Sequence, residues 1–133
     1  MEIRNEALRW LEEAEKDFET AEILYRNARY NAACFYAYQA AEKAVKAILY
    51  SVNGAPWGHS IRILFERYAE KTKPSRIEYL MECARELDRH YIPSRYPNAH
   101  PSGTAFEAYD PKTAERALEC SRGILNYARG EIK

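Results

Sequence analysis

Between Asn31 and Gly54 the chain reads NAACFYAYQAAEKAVKAILYSVNG, and Ala33, Ala37, Ala40, Ala41 and Ala44 recur in it at helical spacing. A helix with that pattern carries almost no side-chain bulk along one side, so a neighbouring helix backbone can approach it closely. Phe35, Val45, Ile48 and Leu49 fill the flanking space. The segment is expected to be the central helix of a bundle, stopped at Gly54.

The segments around it repeat the helical period. Ile3, Ala7, Trp10, Ala14, Phe18, Ala21, Tyr25 and Ala28 form one face of a long first helix, with Glu12, Glu13, Glu15, Lys16 and Asp17 on its charged side. RNARYN (26–31) breaks it, with Asn27 or Asn31 as the local cap. After the loop APWGHS, Ser60 or His59 opens a third helix that runs to Lys73 and is ended by Pro74. Ser75 is the expected cap of a fourth, with Ile77, Leu80, Met81, Ala84 and Leu87 in phase. Asp110 and Pro111 then start a last helix, whose stripe is Ala114, Ala117, Leu118, Ser121, Ile124, Leu125 and Ala128. The fold class is therefore all-α: an up-and-down antiparallel bundle of about five helices in a single domain spanning 1–133.

Charge and motifs narrow the function. Twenty basic and 20 acidic residues cancel, which argues against a generic basic clamp for nucleic acid but allows a local basic pocket. No apolar run is long enough to cross a membrane, and the acidic N-terminal stretch is unlike a signal peptide, so a cytoplasmic protein is expected. Cys34, Cys83 and Cys120 lie far apart inside helical patterns and read as reduced, near-core residues. A single Gln among many Arg and Glu leans toward a thermophilic source. No phosphate loop, HExxH, CxxC or GxSxG appears, so no metal and no cofactor are expected.

The link YIPSRYPNAHPSG (91–103), continuing to Tyr109, is too long for an ordinary bundle connection. Arg95 and His100 are its candidate catalytic pair. A guanidinium grips phosphate through paired donors, and an imidazole can move a proton near neutral pH. Tyr91, Tyr96, Asn98 and His59 are the candidate nucleotide- or RNA-binding residues, the tyrosines as stacking surfaces. His59 follows Gly58 at a helix start, where free backbone N–H groups favour anions. The plainer alternatives are that Arg95 pairs with an acid on a neighbouring helix, that His100 caps a turn and that His59 only ends a link. Arg85 and His90 repeat the Arg/His spacing by chance. Trp57 reads as a lid over the bundle end. Gln39, Glu42 and Lys43 are either polar ligands in a cleft or an exposed charged face.

Taken together, NAACFYAYQAAEKAVKAILYSVNG, GHSIRILFE, LDRHYIPSRYPNAHPSG and DPKTAERALECSRGILNYAR resemble the HEPN domain family (higher eukaryotes and prokaryotes nucleotide-binding), in its RYP-loop form, from Ala14 to Arg129. The resemblance implies a helical bundle that forms a homodimer. It further implies a minimal nucleotidyltransferase as partner, in a toxin–antitoxin or nucleotide-binding module. Many members are metal-independent endoribonucleases whose motif is Arg, four to six residues, then His, a count that Arg95 and His100 satisfy. The alternative from another class is a non-catalytic helical module for dimerisation or partner docking.

Overall fold

The computed structural model describes residues 2–132. Among these residues six helices follow one another: α1 (Glu2–Arg26), α2 (Tyr30–Ser51), α3 (Ile61–Thr72), α4 (Glu78–Asp88), α5 (Ala105–Ala108) and α6 (Pro111–Glu131). No strand occurs among the described residues. The sixth helix beyond the expected five is α5, a single turn inside the long link. The link also contains a 3-10 turn at Pro97–Ala99, so it is not irregular throughout.

Helix α2 touches every other helix, and all five alanines of its bare side are fully buried. Its pairing with α1 is antiparallel, because contacts at rising positions in one helix fall on descending positions in the other: Tyr25 with Tyr30, Asp17 with Lys43, Trp10 with Tyr50. Helix α6 runs antiparallel to α1 by the same criterion, through Glu15 with Arg129 and Glu22 with Arg122. It meets α2 where the buried Ser121 hydroxyl donates to the Ala37 carbonyl at 2.7 Å. That approach is possible because a methyl, not a larger side chain, stands at Ala37.

Several local expectations are corrected. Asp17 is not on the charged face of α1; it is buried and accepts from Lys43 Nζ at 2.6 Å. Ala28 lies beyond the helix, exposed, with φ +60°; Ile3, expected on the same face, has its side chain outside the described residues. Neither asparagine caps the start of α2, where Arg29 is the N-cap residue and makes no side-chain cap. Asn27 instead donates to the Ile23 carbonyl at the end of α1, and Asn31 donates to the Ser94 carbonyl across the fold. Ser75 caps nothing: Ile77 stands before α4 without a side-chain cap, and Arg76 takes φ +59°.

At the end of α2 the left-handed residue is Asn53, at φ +56°, rather than Gly54. Gly54 follows it and sends its N–H to the Leu49 carbonyl at 2.7 Å. A Cβ on Gly54 would stand 2.7 Å from Leu49 Cδ2, so the glycine is needed for close approach. Ser60 caps α3 through Ile63 N–H, and Asp110 caps α6 through Thr113 N–H with Pro111 in the first turn, as the sequence indicates. The three cysteines are free and buried, and burial pushes the Cys34 thiol up to about 12.

Ala37→Leu is expected to destabilise the bundle by about 1–3 kcal/mol, because the added carbons fall where the Ser121 side chain of α6 meets the main chain of α2. Chemical denaturation reads this directly; an unchanged midpoint would show that the crossing is looser than described.

Candidate functional site

The link between α4 and α6 leaves its helix through a series of tight turns. His90 N–H donates to the Leu87 carbonyl and Tyr91 N–H to that of Asp88, while the N–H groups of both Arg95 and Tyr96 reach the Ile92 carbonyl. Pro93 suits the bend through its fixed φ. Asn31 ties the middle of the link to α2 by its 3.0 Å bond to the Ser94 carbonyl. Gly103 takes φ +75°, and Thr104 with Glu107 forms a reciprocal capping box that folds α5. The link is therefore a braced structure, held at both ends and in the middle.

This bracing fixes Arg95. Its Nε donates to the Tyr91 carbonyl at 2.8 Å. Its guanidinium carbon lies 4.5 Å from the ring centre of Phe35, 4.7 Å from Tyr91 and 5.0 Å from Tyr96. Three aromatic faces thus hold the cation by their ring quadrupoles. Among the described residues no carboxylate pairs with Arg95, and its two terminal nitrogens have no hydrogen-bond acceptor. The alternative in which Arg95 serves a neighbouring acid is thereby removed. What is left is a half-buried, positioned fork with its donors free.

The Tyr91 ring also stacks on the His59 imidazole, with centroids 5.2 Å apart and planes within 17°. His59 reaches this corner from the loop before α3, and its Nδ1 stands 3.1 Å from Glu42 Oε2. The free helix N-terminus expected beside His59 is not free. Asp88 fills it, accepting from Ile61 N–H at 2.7 Å, Arg62 N–H at 3.2 Å and the Ser60 hydroxyl at 2.8 Å. His59 therefore gains its place from Glu42 and Tyr91 rather than from a helix terminus.

His100 sits differently. Its Nε2 donates to the Pro93 carbonyl at 2.7 Å, which leaves Nδ1 as the other ring nitrogen. Its ring meets Tyr109 edge-on at 6.3 Å. No ring stacking, ion pair or hydrogen bond joins it to Arg95 among the described residues, so the structure groups Arg95 with Tyr91, Tyr96 and His59 and groups His100 with Pro93 and Tyr109. Asn98 is exposed on the 3-10 turn and makes no side-chain hydrogen bond among the described residues. Trp57 is no lid: it is 70% exposed.

Two participants escape a reading of the sequence alone. Phe35 reads there only as packing, and Glu42 as either a ligand or part of an exposed face. Glu42 is in fact buried and shares its Oε2 with Lys46 at 3.1 Å. The signal is present in the spacing: Tyr38, Ala41, Glu42, Val45 and Leu49 form one stripe of α2, all of them buried. Other concavities lie elsewhere. A groove of about 240 Å³ between α1 and α6 is lined by Glu22, Tyr25, Arg26, Glu115 and Arg122 among others, and by no residue of the link. Among the described residues no group of His, Cys, Asp and Glu could hold a metal ion, and no helix is long and apolar enough to cross a membrane.

Comparison with known proteins follows the same lines. The HEPN domain family matches residues 7–131. A protein of Thermus thermophilus, TT1696, has a crystal structure that superposes with a TM-score of 0.86 at 38% identity, covering 96% of this chain and 98% of that one. The archaeal HEPN homologue ST0689 gives 0.80 at 35% identity, with 96% and 98% covered. A curated protein of Methanocaldococcus jannaschii, "Putative toxin MJ1304", is 24% identical over 132 residues, which is 93% of this chain and 86% of that protein.

Behind the site, His90 is 6% exposed, and its Nδ1 lies 2.8 Å from the Tyr109 hydroxyl. Its buried Nε2 is without a hydrogen-bond partner, 3.5 Å from Glu86 Oε2. Burial holds His90 below its ordinary value of 6.5, against the upward pull of Glu86. The folded state thus binds fewer protons here than the unfolded chain, so the stability involved is present above pH 6.5 and lost as the pH falls below it. His90→Gln is expected to flatten this part of the acid loss. Urea unfolding from about pH 7.5 down to about pH 5 tests it; equal slopes in both proteins would contradict the assignment.

Proposed function

The chain belongs to the HEPN domain family, and from that premise we propose that Arg95 and its aromatic shelf bind the phosphate of a nucleotide or of RNA. The observation that carries this reading is the guanidinium itself. It is held by three rings and one carbonyl, with its terminal donors unspent and, among the described residues, no carboxylate in ion-pair or hydrogen-bond contact with it. A buried or half-buried cation without a counter-ion is costly unless an anion visits it. Phosphate fits, since its oxygens match the fork of the two terminal nitrogens. Tyr96, 46% exposed, and the ring pair Tyr91–His59 offer stacking faces for a base beside that phosphate, and Asn98 adds a free amide.

On this reading the protein acts as a homodimer and works with a minimal nucleotidyltransferase-type partner in a toxin–antitoxin or nucleotide-binding module. Similarity to a protein named as a toxin supports that direction. RNA cleavage would proceed by attack of a 2′-hydroxyl on the phosphate gripped by Arg95, with His100 moving a proton, and would leave cyclic phosphate ends. A second reading has its own observation: Ile92, Tyr96 and Phe106 are each about half exposed along the same link, at 45%, 46% and 51%. Such a row suits a docking surface with no chemistry.

Arg95→Ala is expected to weaken binding of a short single-stranded RNA by roughly 10- to 150-fold, the value of a charged hydrogen bond of about 1.5–3 kcal/mol. Arg95→Lys should recover only part, because a point charge lacks the fork. Fluorescence anisotropy reads both; affinity unchanged in Arg95→Ala rejects the shelf as the site. For cleavage, His100→Ala is expected to lower the rate of cutting in EDTA by about 10²–10⁴-fold while affinity changes far less. Cutting that persists at the wild-type rate removes His100 from the chemistry.

A further inference from the structure

Beside Arg95 stands a second histidine whose setting is that of a proton-transfer group. We propose that His59, oriented by the buried carboxylate of Glu42, is the base that takes the 2′-hydroxyl proton when RNA is cleaved at the Arg95 shelf. The proposal rests on the reading of that shelf as an RNA-phosphate site.

The geometry is asymmetric in the way such a role requires. Glu42 is 4% exposed and lies under the loop. Its Oε2 is 3.1 Å from His59 Nδ1, so Nδ1 carries the ring proton facing the carboxylate. Nε2 then holds the lone pair, on a side chain that is 64% exposed. His100 has the reverse arrangement, with Nε2 already spent on the Pro93 carbonyl. Lys46 Nζ, 3.1 Å from the same Oε2, supplies the positive charge that lets the carboxylate stay buried.

Everything around His59 fixes it. The Tyr38 hydroxyl donates to its carbonyl. Arg67 Nη1 ties down the loop before it, through the Trp57 carbonyl at 2.6 Å and that of Ala55 at 3.1 Å. Asp88 and Ser60 fix the turn after it. The imidazole face lies on Tyr91, and the same Tyr91 ring carries the Arg95 guanidinium at 4.7 Å. One ring therefore touches both the phosphate-binding cation and the base. An exposed histidine that merely ended a link would need neither a buried acid behind it nor braces on both sides.

The step balances without any co-reactant. The 2′-oxygen loses its proton to His59 Nε2 and forms a bond to phosphorus; the bond from phosphorus to the 5′-oxygen breaks. The leaving oxygen takes a proton from the His100 imidazolium or from water. The products are a 2′,3′-cyclic phosphate and a 5′-hydroxyl. His59 is the catalytic residue of this step, and Glu42 is a positioning residue.

The test is single-turnover cleavage of a mixed RNA pool in EDTA by the full chain, with binding to the same pool measured in parallel. His59→Ala is expected to lose about 10²–10⁴-fold in rate and far less in affinity, and added imidazole should restore part of the rate. Glu42→Gln should also lose rate more than affinity, with Glu42→Asp between it and the wild type. Because Glu42→Gln could instead disturb folding, the His59→Ala rescue decides. Wild-type rates in His59→Ala, or a loss that imidazole does not relieve, overturn the proposal. Wild-type protein that binds RNA through Arg95 without cutting it overturns the proposal and leaves the shelf standing. Wild-type protein that fails to bind RNA overturns both.

Discussion

The structure depends on the close seating of α2 among its neighbours. A helix with a methyl at Ala37 lets the Ser121 hydroxyl of α6 bond its main chain. Once that distance is short, α2 becomes the axis to which α1, α3, α4 and the long link attach. Phe35, Tyr38 and Glu42, which all serve the candidate site, are on this helix, as is Asn31, which pins the link. Packing of the core and placement of the site are thus two consequences of one helix.

The site itself is assembled around a ring. Tyr91 takes His59 by stacking and Arg95 by cation–π contact, while its own carbonyl accepts from Arg95 Nε. Such contacts position a cation without neutralising it, in contrast to an ion pair, which would cancel the charge that an anionic ligand needs. The other charged groups nearby are disposed of locally. Asp88 is consumed by the start of α3, and Glu42 by Lys46 and His59. Arg95 is left with its terminal donors free.

Much of this is legible in the chain. The alanine spacing of α2 gives the bundle axis, and Asp110–Pro111 gives the start of α6, because each feature acts through its own backbone neighbours. Where an expectation fails, a distant partner has intervened or a neighbour has taken the place. Ser75 is a good cap by type, yet Ile77 stands at the start of α4. Asn31 looks like a local cap and instead crosses to Ser94, 63 positions away. Glu42 lies in an apolar stripe by its phase, but its acidic side chain suggests solvent; only Lys46 and the His59 loop explain its burial. The family resemblance is carried by these same blocks, and its Arg and His lie in one braced link, although each is held by different partners.

The central claim is that Arg95 meets a phosphate, and the salt dependence of binding tests it most directly. Each phosphate contact on a single strand contributes about 0.7 to the slope of log affinity against log salt concentration. Replacing Arg95 by Gln in the full chain, with a short single-stranded RNA as probe, is expected to reduce the slope by about that amount. Equal slopes for the two proteins would contradict the claim, whatever the difference in affinity at one salt concentration.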